Sequence, residues 1–329
     1  MRKIKTGVVA YGFSGRIFQC PFIEAHDAFE LTAVVQRHGD EAKKDYPKIQ
    51  LLRDYDELLA NDEIELIVIS TPAHFHYQHA LKALEAGKNV VVEKPFAATL
   101  EEALHLQAVA KEKGKVIAAY QNRRFDGDFL TVQQLIKEGV KIYEFEATWD
   151  RFVPTVDTND WHEQGHQGSD LLFDLGSHYV DQVLTLFGEP DSYHGNVKVI
   201  RPNAKVADFF SIEFSYADKI ARVKSCMHAA KSDVRYKIHT DRGTYYFYEM
   251  GEQEHQLIAG MKPDEPEFGD NAMYDLFDND GNKTSHQVVR GNYLMYYTML
   301  ADAIRNGGKP PISIADSVRV IKYLELANK

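Results

Sequence analysis

Apolar positions in the first third of the chain fall in short runs separated by helix-like stretches. Ile4 to Ala10 reads as a strand, followed by a glycine turn and a helix reaching about His26. Leu31–Gln36, Ile64–Ser70, Asn89–Glu93 and Val116–Tyr120 read as further strands, with helices over about Phe75–Ala86 and Leu100–Lys113. These strands are rich in β-branched residues and apolar on both faces, which predicts a parallel sheet covered by helices on both sides. After about Asn122 the rhythm changes. Tyr143, Phe145, Ala147 and Trp149 alternate with Glu144, Glu146, Thr148 and Asp150, the pattern of a half-buried strand. Similar runs at Ser192–Arg201, Ala207–Tyr216, Ile220–His228, Tyr236–Thr240 and Thr244–Glu249 predict a mostly antiparallel open sheet. Helices over Asp170–Phe187, Tyr293–Asn306 and Ile314–Ala327 are expected on one of its faces, the last opened by a capping box at Ser313-Ile-Ala-Asp316. Gly260–Asn282 reads as a long surface loop. The expected fold class is therefore α/β, a Rossmann domain over 1–122 and an α+β domain over 123–329.

A length of 329 residues suits two domains, and 44% hydrophobic with 26% charged residues is ordinary for a globular protein. The formal net charge of -11 disfavours nucleic acid as a partner, and no apolar run reaches membrane-span length. The N-terminal residues enter a strand pattern without a secretory h-region, and Cys20 and Cys226 are far apart without metal-ligand spacing. A cytoplasmic protein without a metal site is expected.

The first strand runs into Ala10-Tyr11-Gly12-Phe13-Ser14-Gly15-Arg16. In a dinucleotide fingerprint the middle glycine admits the pyrophosphate, the last allows close helix–strand packing, and the helix N-terminus faces the phosphates. Ala10 stands where the first glycine would be, and a plain strand-to-helix turn would read the same in isolation. The second predicted strand ends Gln36-Arg37-His38, without the carboxylate that would bind the ribose 2′-hydroxyl of NAD(H). Arg37, with His38 and Ser14 as further donors, points instead to NADP(H); the competing picture has Arg37 in solvent and Gln36 on an unphosphorylated ribose.

Glu93-Lys94-Pro95 lies at the carboxyl end of a predicted parallel strand, where open α/β sheets bind ligands. Asp174, His178 and Asp181 follow a spacing of four and three, one face of a helix, and a histidine beside a carboxylate suits acid–base chemistry near neutral pH. Taken singly, an exposed lysine or a helix-surface pair explains each as well.

Together with Ser70-Thr71-Pro72 and His76, these motifs resemble the Gfo/Idh/MocA oxidoreductases over essentially the whole chain. The resemblance implies that Lys94, Asp174 and His178 form the catalytic group and that Thr71, Pro72, His76 and Glu93 line the nicotinamide half of a cleft. Gly15-Arg-Ile-Phe18, Gln121-Asn-Arg-Arg124-Phe-Asp126, Asp150-Arg-Phe152 and Trp161 resemble the branch that contains the NADP-dependent scyllo-inositol dehydrogenases. The glycine-rich run often found before the Asp-x-Gly-x-His motif is reduced to Gly165 and Gly168. The expected activity is hydride transfer between NADP(H) and a secondary alcohol or ketone of a polyol or sugar. Lys94, Asp174, His178, Arg124, Asp126, Arg151 and Trp161 are the substrate contacts; for the last four residues an interdomain ion pair or a packed aromatic is an equal alternative. A catalytically silent cofactor sensor, or a reductase of another carbonyl or a linear tetrapyrrole, stands as the competing reading. A homodimer or homotetramer is expected, because aromatic runs such as Tyr245-Tyr-Phe-Tyr248 would lie on a sheet that helices cover on one face only.

Overall fold

The computed structural model describes residues 2–232, 234–270 and 272–328. Met1 and Lys329, the ends of the expected domains, and Asn271, within the expected loop, lie outside the described residues. The chain divides into two units, Met1–Gln121 with Glu254–Phe268 and Tyr293–Ile321, and Asn122–Gln253 with Gly269–Asn292 and Lys322–Lys329. The first change of unit falls between Gln121 and Asn122, and the chain returns to the first unit twice beyond it. No helix among the described residues is long and apolar enough to cross a membrane.

In the first unit the described strands are β1 (Ile4–Val9), β2 (Phe29–Val35), β3 (Gln50–Leu52), β4 (Leu66–Ile69), β5 (Asn89–Val92) and β6 (Ile117–Ala119). They pair in parallel in the order β3-β2-β1-β4-β5-β6. Every side chain of β4 is buried, as strands covered on both faces require. The order reverses between β1 and β4, so the turns after these two strands flank the topological switch point, where such sheets bind ligands. The helix Leu100–Lys113 matches its expected span because both stops are local. Thr99 accepts from the Glu102 amide, and Gly114 closes the helix at φ +60°. The helix Leu294–Asn306 belongs to this unit and not to the second sheet as expected. Its Tyr297 stacks on Phe22 at 6.0 Å and donates to Gln19, and Tyr296 donates to the Ala119 carbonyl at 3.0 Å. A helical repeat of apolar positions reveals a buried face without naming the layer that buries it.

The second unit is built on β7 (Ile142–Thr148), β8 (Ser192–Lys198), β9 (Phe209–Tyr216), β10 (Lys219–Cys226), β11 (Tyr236–Thr240), β12 (Gly243–Phe247), β13 (Met273–Phe277) and β14 (Lys283–Gln287). Their order is β14-β13-β12-β11-β7-β10-β9-β8, antiparallel except for the β7–β10 pair. β13 corrects the expected loop: four of its five residues pair on both sides, and Met273 pairs with β14 alone, inside a stretch whose Gly, Pro and Asp content masks a strand. Phe145, Phe210, Ile212, Phe214, Val223, Tyr236, Tyr245 and Phe247 are buried on one face, where Phe145 meets Phe187 of the helix Ser177–Phe187. The opposite face is a ladder of charge. Arg222 donates to Glu213 at 2.9 Å and to Glu144, and Lys237 pairs with Glu146 at 2.9 Å. The aromatic run is thus divided by the two-residue repeat, Tyr245 and Phe247 in the core, Tyr246 and Tyr248 outside it. The expected apolar open face is mostly ionic.

Candidate active site

The glycine turn follows β1 and opens a five-residue π-helical turn, Gly15–Gln19. A Cβ on Gly15 would lie 2.3 Å from the Ala10 carbonyl oxygen, so only glycine allows this closure. A Cβ on Gly12 would meet nothing within 4 Å, which leaves the space above the turn open to a ligand backbone. Ala10 has φ +77°, the left-handed region in which glycine is unstrained and alanine is not. Tyr11 donates to Asp45 at 2.7 Å, while Phe13 and Arg16 are exposed beside the opening.

Ser14, expected as a further donor to the cofactor, is engaged with Glu93. Its hydroxyl donates to the Glu93 carboxylate, which also accepts from Gln19 Nε2 at 2.6 Å and from the Lys94 amide at 3.2 Å. Burial pushes the Glu93 carboxyl up, and these donors offset only part of the rise. Glu93 therefore ties the glycine turn to the tip of β5. His76 is similarly buried, its Nδ1 2.7 Å from the Pro95 carbonyl oxygen and its Nε2 2.8 Å from that of Thr71. The ring lies between the turn after β4 and the turn after β5, against the Pro95 carbonyl that follows Lys94. Thr71 Oγ1 lies 3.2 Å from His79 Nδ1. Ser70 Oγ is buried with no hydrogen-bond partner among the described residues, at the carboxyl end of β4.

At the β2 tip, Gln36 is engaged within its own turn: its carboxamide donates to Glu41 and accepts from the Ala42 amide at 3.0 Å. That leaves little of it for a ribose. Arg53, which follows β3, was not anticipated, because a three-residue strand leaves no periodic trace. Its Nη1 donates to the carbonyls of Gln36 at 2.8 Å and Gly39 at 2.5 Å, pinning the turn that carries Arg37 and His38. Both of these are exposed, and neither pairs with a carboxylate among the described residues. The acidic neighbours are occupied elsewhere, Asp40 by Lys44 at 2.6 Å and Asp54 by the Asp56 amide at 2.7 Å. The uncrowded turn at Gly12 and the Ser70 hydroxyl at the switch point fit a bound dinucleotide.

In the second unit Asp174 sits in another π-helical turn, Leu172–Gly176, immediately before the helix Ser177–Phe187 that carries His178 and Asp181. The three are therefore not on one regular α-helical face, since the π turn alters the register between Asp174 and His178. His178 and Asp181 are buried, and Asp181 is held in a two-pronged ion pair by Arg124, at 2.7 and 2.6 Å. Asp126 is also buried, 3.5 Å from Arg123. Arg124 and Asp126 thus sit in buried ion pairs, whereas Arg151 reaches Asp174 at 3.6 Å and lies over the Trp149 ring.

Arg151 and Asp174 line a cavity of about 130 Å³ with Asp160, His162, Glu163, Ser169 and Arg201 among its other walls. Trp161 is not part of this lining; its neighbour His162 is, with the two rings 3.7 Å apart. Burial works to raise the Asp160 carboxyl, but the His162 amide and ring outweigh it and hold it below its usual value. The polar density of Asp157–Asp170 is the sequence signal for these walls.

Two oxidoreductase family models match, one described as the NAD-binding Rossmann fold over residues 4–121 and one as the C-terminal alpha/beta domain over residues 133–329. The scyllo-inositol 2-dehydrogenase (NADP(+)) IolW of Bacillus subtilis is 33% identical, over 98% of this chain and 92% of its own. The D-glucoside 3-dehydrogenase of Escherichia coli is 30% identical over 49% of this chain and 44% of its own. The solved structure of the oxidoreductase YvaA from Bacillus subtilis superposes with a TM-score of 0.93 at 33% identity, over 99% of this chain and 95% of that one.

Proposed function

The chain belongs to the Gfo/Idh/MocA oxidoreductase family, and from that premise we propose that it is a cytoplasmic NADP(H)-dependent dehydrogenase of a polyol or sugar, with scyllo-inositol as the specific candidate. The observation that carries the substrate class is the lining of the second-unit cavity. Three carboxylates, two guanidinium groups, an imidazole and a hydroxyl line it beside four apolar side chains, a mixture that suits a small hydroxyl-rich ring with an apolar face. The names of the inositol and glucoside dehydrogenases above support the same class. The unmatched Arg37 and His38 support NADP(H) over NAD(H), and two free cysteines suit a reducing compartment.

A nicotinamide held by the glycine turn and the turns after β4 and β5 would supply the hydride acceptor. The chain's own residues handle the proton and the charge. His178 takes the proton of the reacting hydroxyl as general base, and Lys94 hydrogen-bonds the same oxygen and stabilises its developing negative charge. Asp174, held by Arg151, orients the ring through its hydroxyls. Glu93 and His76 touch no reacting atom in this scheme; they position the turn that presents Lys94.

A reduction screen of NADP+ and NAD+ across inositol isomers and aldoses tests the reading. NADP+ reduction by at least one cyclic polyol or sugar is expected. Tight NADPH binding without turnover of any polyol or ketone would favour the cofactor-sensing alternative instead.

A further inference from the structure

The second-unit cavity contains a polar atom that the proposed chemistry does not use. Glu163 closes a single 3-10 turn, Trp161–Glu163, that is opened by the Asp160 side chain accepting from the His162 amide. Glu163 Oε1 accepts from Arg201 Nη2 at 2.6 Å. Arg201 is itself immobile: its Nε donates to Asp208 at 2.9 Å, its backbone amide to the same oxygen at 3.0 Å, and its Nη1 to the Val153 carbonyl at 3.1 Å. These bonds hold the Glu163 carboxylate against Arg201. Its second oxygen, Oε2, is buried and has no hydrogen-bond partner among the described residues, in a side chain that is only 9% exposed. A buried carboxylate oxygen without a donor is costly, and native proteins keep such atoms mainly where a ligand or ordered water completes them. Glu163 shares its cavity with Asp174 and Arg151, the pair assigned to the substrate.

We infer that Glu163 is a specificity-determining residue whose Oε2 accepts a hydrogen bond from a substrate hydroxyl other than the one being oxidised. The inference rests on the polyol reading of the same cavity. An ionised carboxylate only accepts, so the position selects a hydroxyl donor and rejects a deoxy carbon, an ether or a carbonyl there. A site built to bond a hydroxyl discriminates strongly against analogues lacking it, because its own polar group is then left buried and unpaired. The fixed geometry imposed by Arg201 sharpens that choice.

The test compares the full-length wild type with Glu163→Gln, using the best polyol from the screen and its monodeoxy analogues. Glutamine keeps an oxygen for Arg201 and turns an N–H toward the substrate, so the hydroxyl must rotate to accept and loses its charge-assisted bond to the carboxylate. The variant is expected to raise KM for the parent polyol roughly 10- to 100-fold, with the effect falling on KM and not on kcat or on NADPH affinity. One monodeoxy analogue should be a poor substrate for the wild type by a similar factor and lose nothing further in the variant. Should Glu163→Gln fail to fold, Glu163→Asp, which keeps the charge but withdraws it by one methylene, must show the same KM effect and the same non-additivity. A lowered Tm with KM unchanged would make Glu163 only an anchor for Arg201 and overturn the inference, as would equal losses for every deoxy analogue. A wild type that turns over no polyol would instead overturn the substrate reading itself, a separate result.

Discussion

Ala10 is the residue at which local chemistry and local geometry disagree. It adopts φ +77° at the place where glycine would do so without strain, and its carbonyl sits where a Gly15 Cβ would need to be. A left-handed alanine costs about 1–2 kcal/mol, against about 0.4–1 kcal/mol by which glycine loosens the unfolded chain. Ala10→Gly is therefore expected to stabilise the protein by about 0.5–1 kcal/mol, read as a higher denaturation midpoint, with NADPH affinity retained. A lower midpoint would show that the turn absorbs the alanine without strain. The catalytic assignments belong to this scale too. Lys94→Ala and His178→Ala should each lower turnover by about 10²–10⁴-fold while NADPH titrations change little. Wild-type turnover in either variant on the true substrate would remove that residue from the mechanism.

Elements decide which of these residues meet, and they were legible in the sequence to different degrees. Strands β1, β4 and β5 were readable because both faces are apolar, and Thr99 and Gly114 marked both ends of one helix. What eluded pattern was short, disguised or ambiguous in partner: β3 has three residues, β13 lies among turn formers, and Leu294–Asn306 has a buried face that fits either unit. The site followed the same division. Lys94, Asp174 and His178 stand out in the sequence as motif members, but Arg53, Glu163 and Arg201 depend on tertiary placement that no spacing encodes. Ser14 and Glu93 were legible as motif members, while their mutual hydrogen bond was not. The paired tips of β2 and β3 carry the cofactor prediction. Loss of one charge-assisted contact is worth about 1.5–3 kcal/mol. Arg37→Ala should thus lower kcat/KM with NADP+ by roughly 10- to 150-fold and leave the NAD+ value nearly intact. Arg53→Ala should weaken NADP+ selectively through the turn it pins. Equal kcat/KM values for the two cofactors in the wild type, or an NAD+ preference unaltered in Arg37→Ala, would contradict the assignment.

For the molecule as a whole, the ion-paired face of the second sheet bears on assembly. Cross-strand pairs such as Arg222–Glu213 and Lys237–Glu146 alternate with Tyr246 and Phe277, whose rings meet at 5.6 Å, and Met273 is half exposed beside them. We propose that this face joins copies of the chain into a dimer or tetramer through a polar, aromatic-studded interface. Light scattering at micromolar concentration should give a multiple of the 37.5 kDa chain mass, decreasing at high salt as the ladder is screened. A particle of chain mass alone would rule this out.

We propose that this protein moves a hydride from the carbinol carbon of a cyclic polyol to NADP+. Incubating the enzyme with NADP+ and inositols deuterated at carbon, and following the mass of the reduced nucleotide, measures that transfer directly. The account predicts NADPH one mass unit heavier with a reactive inositol, and no labelled product from the His178→Ala variant on the same timescale. NADPH binding with no reduction of NADP+ by any member of the panel, or reduction without incorporation of the label, would contradict it.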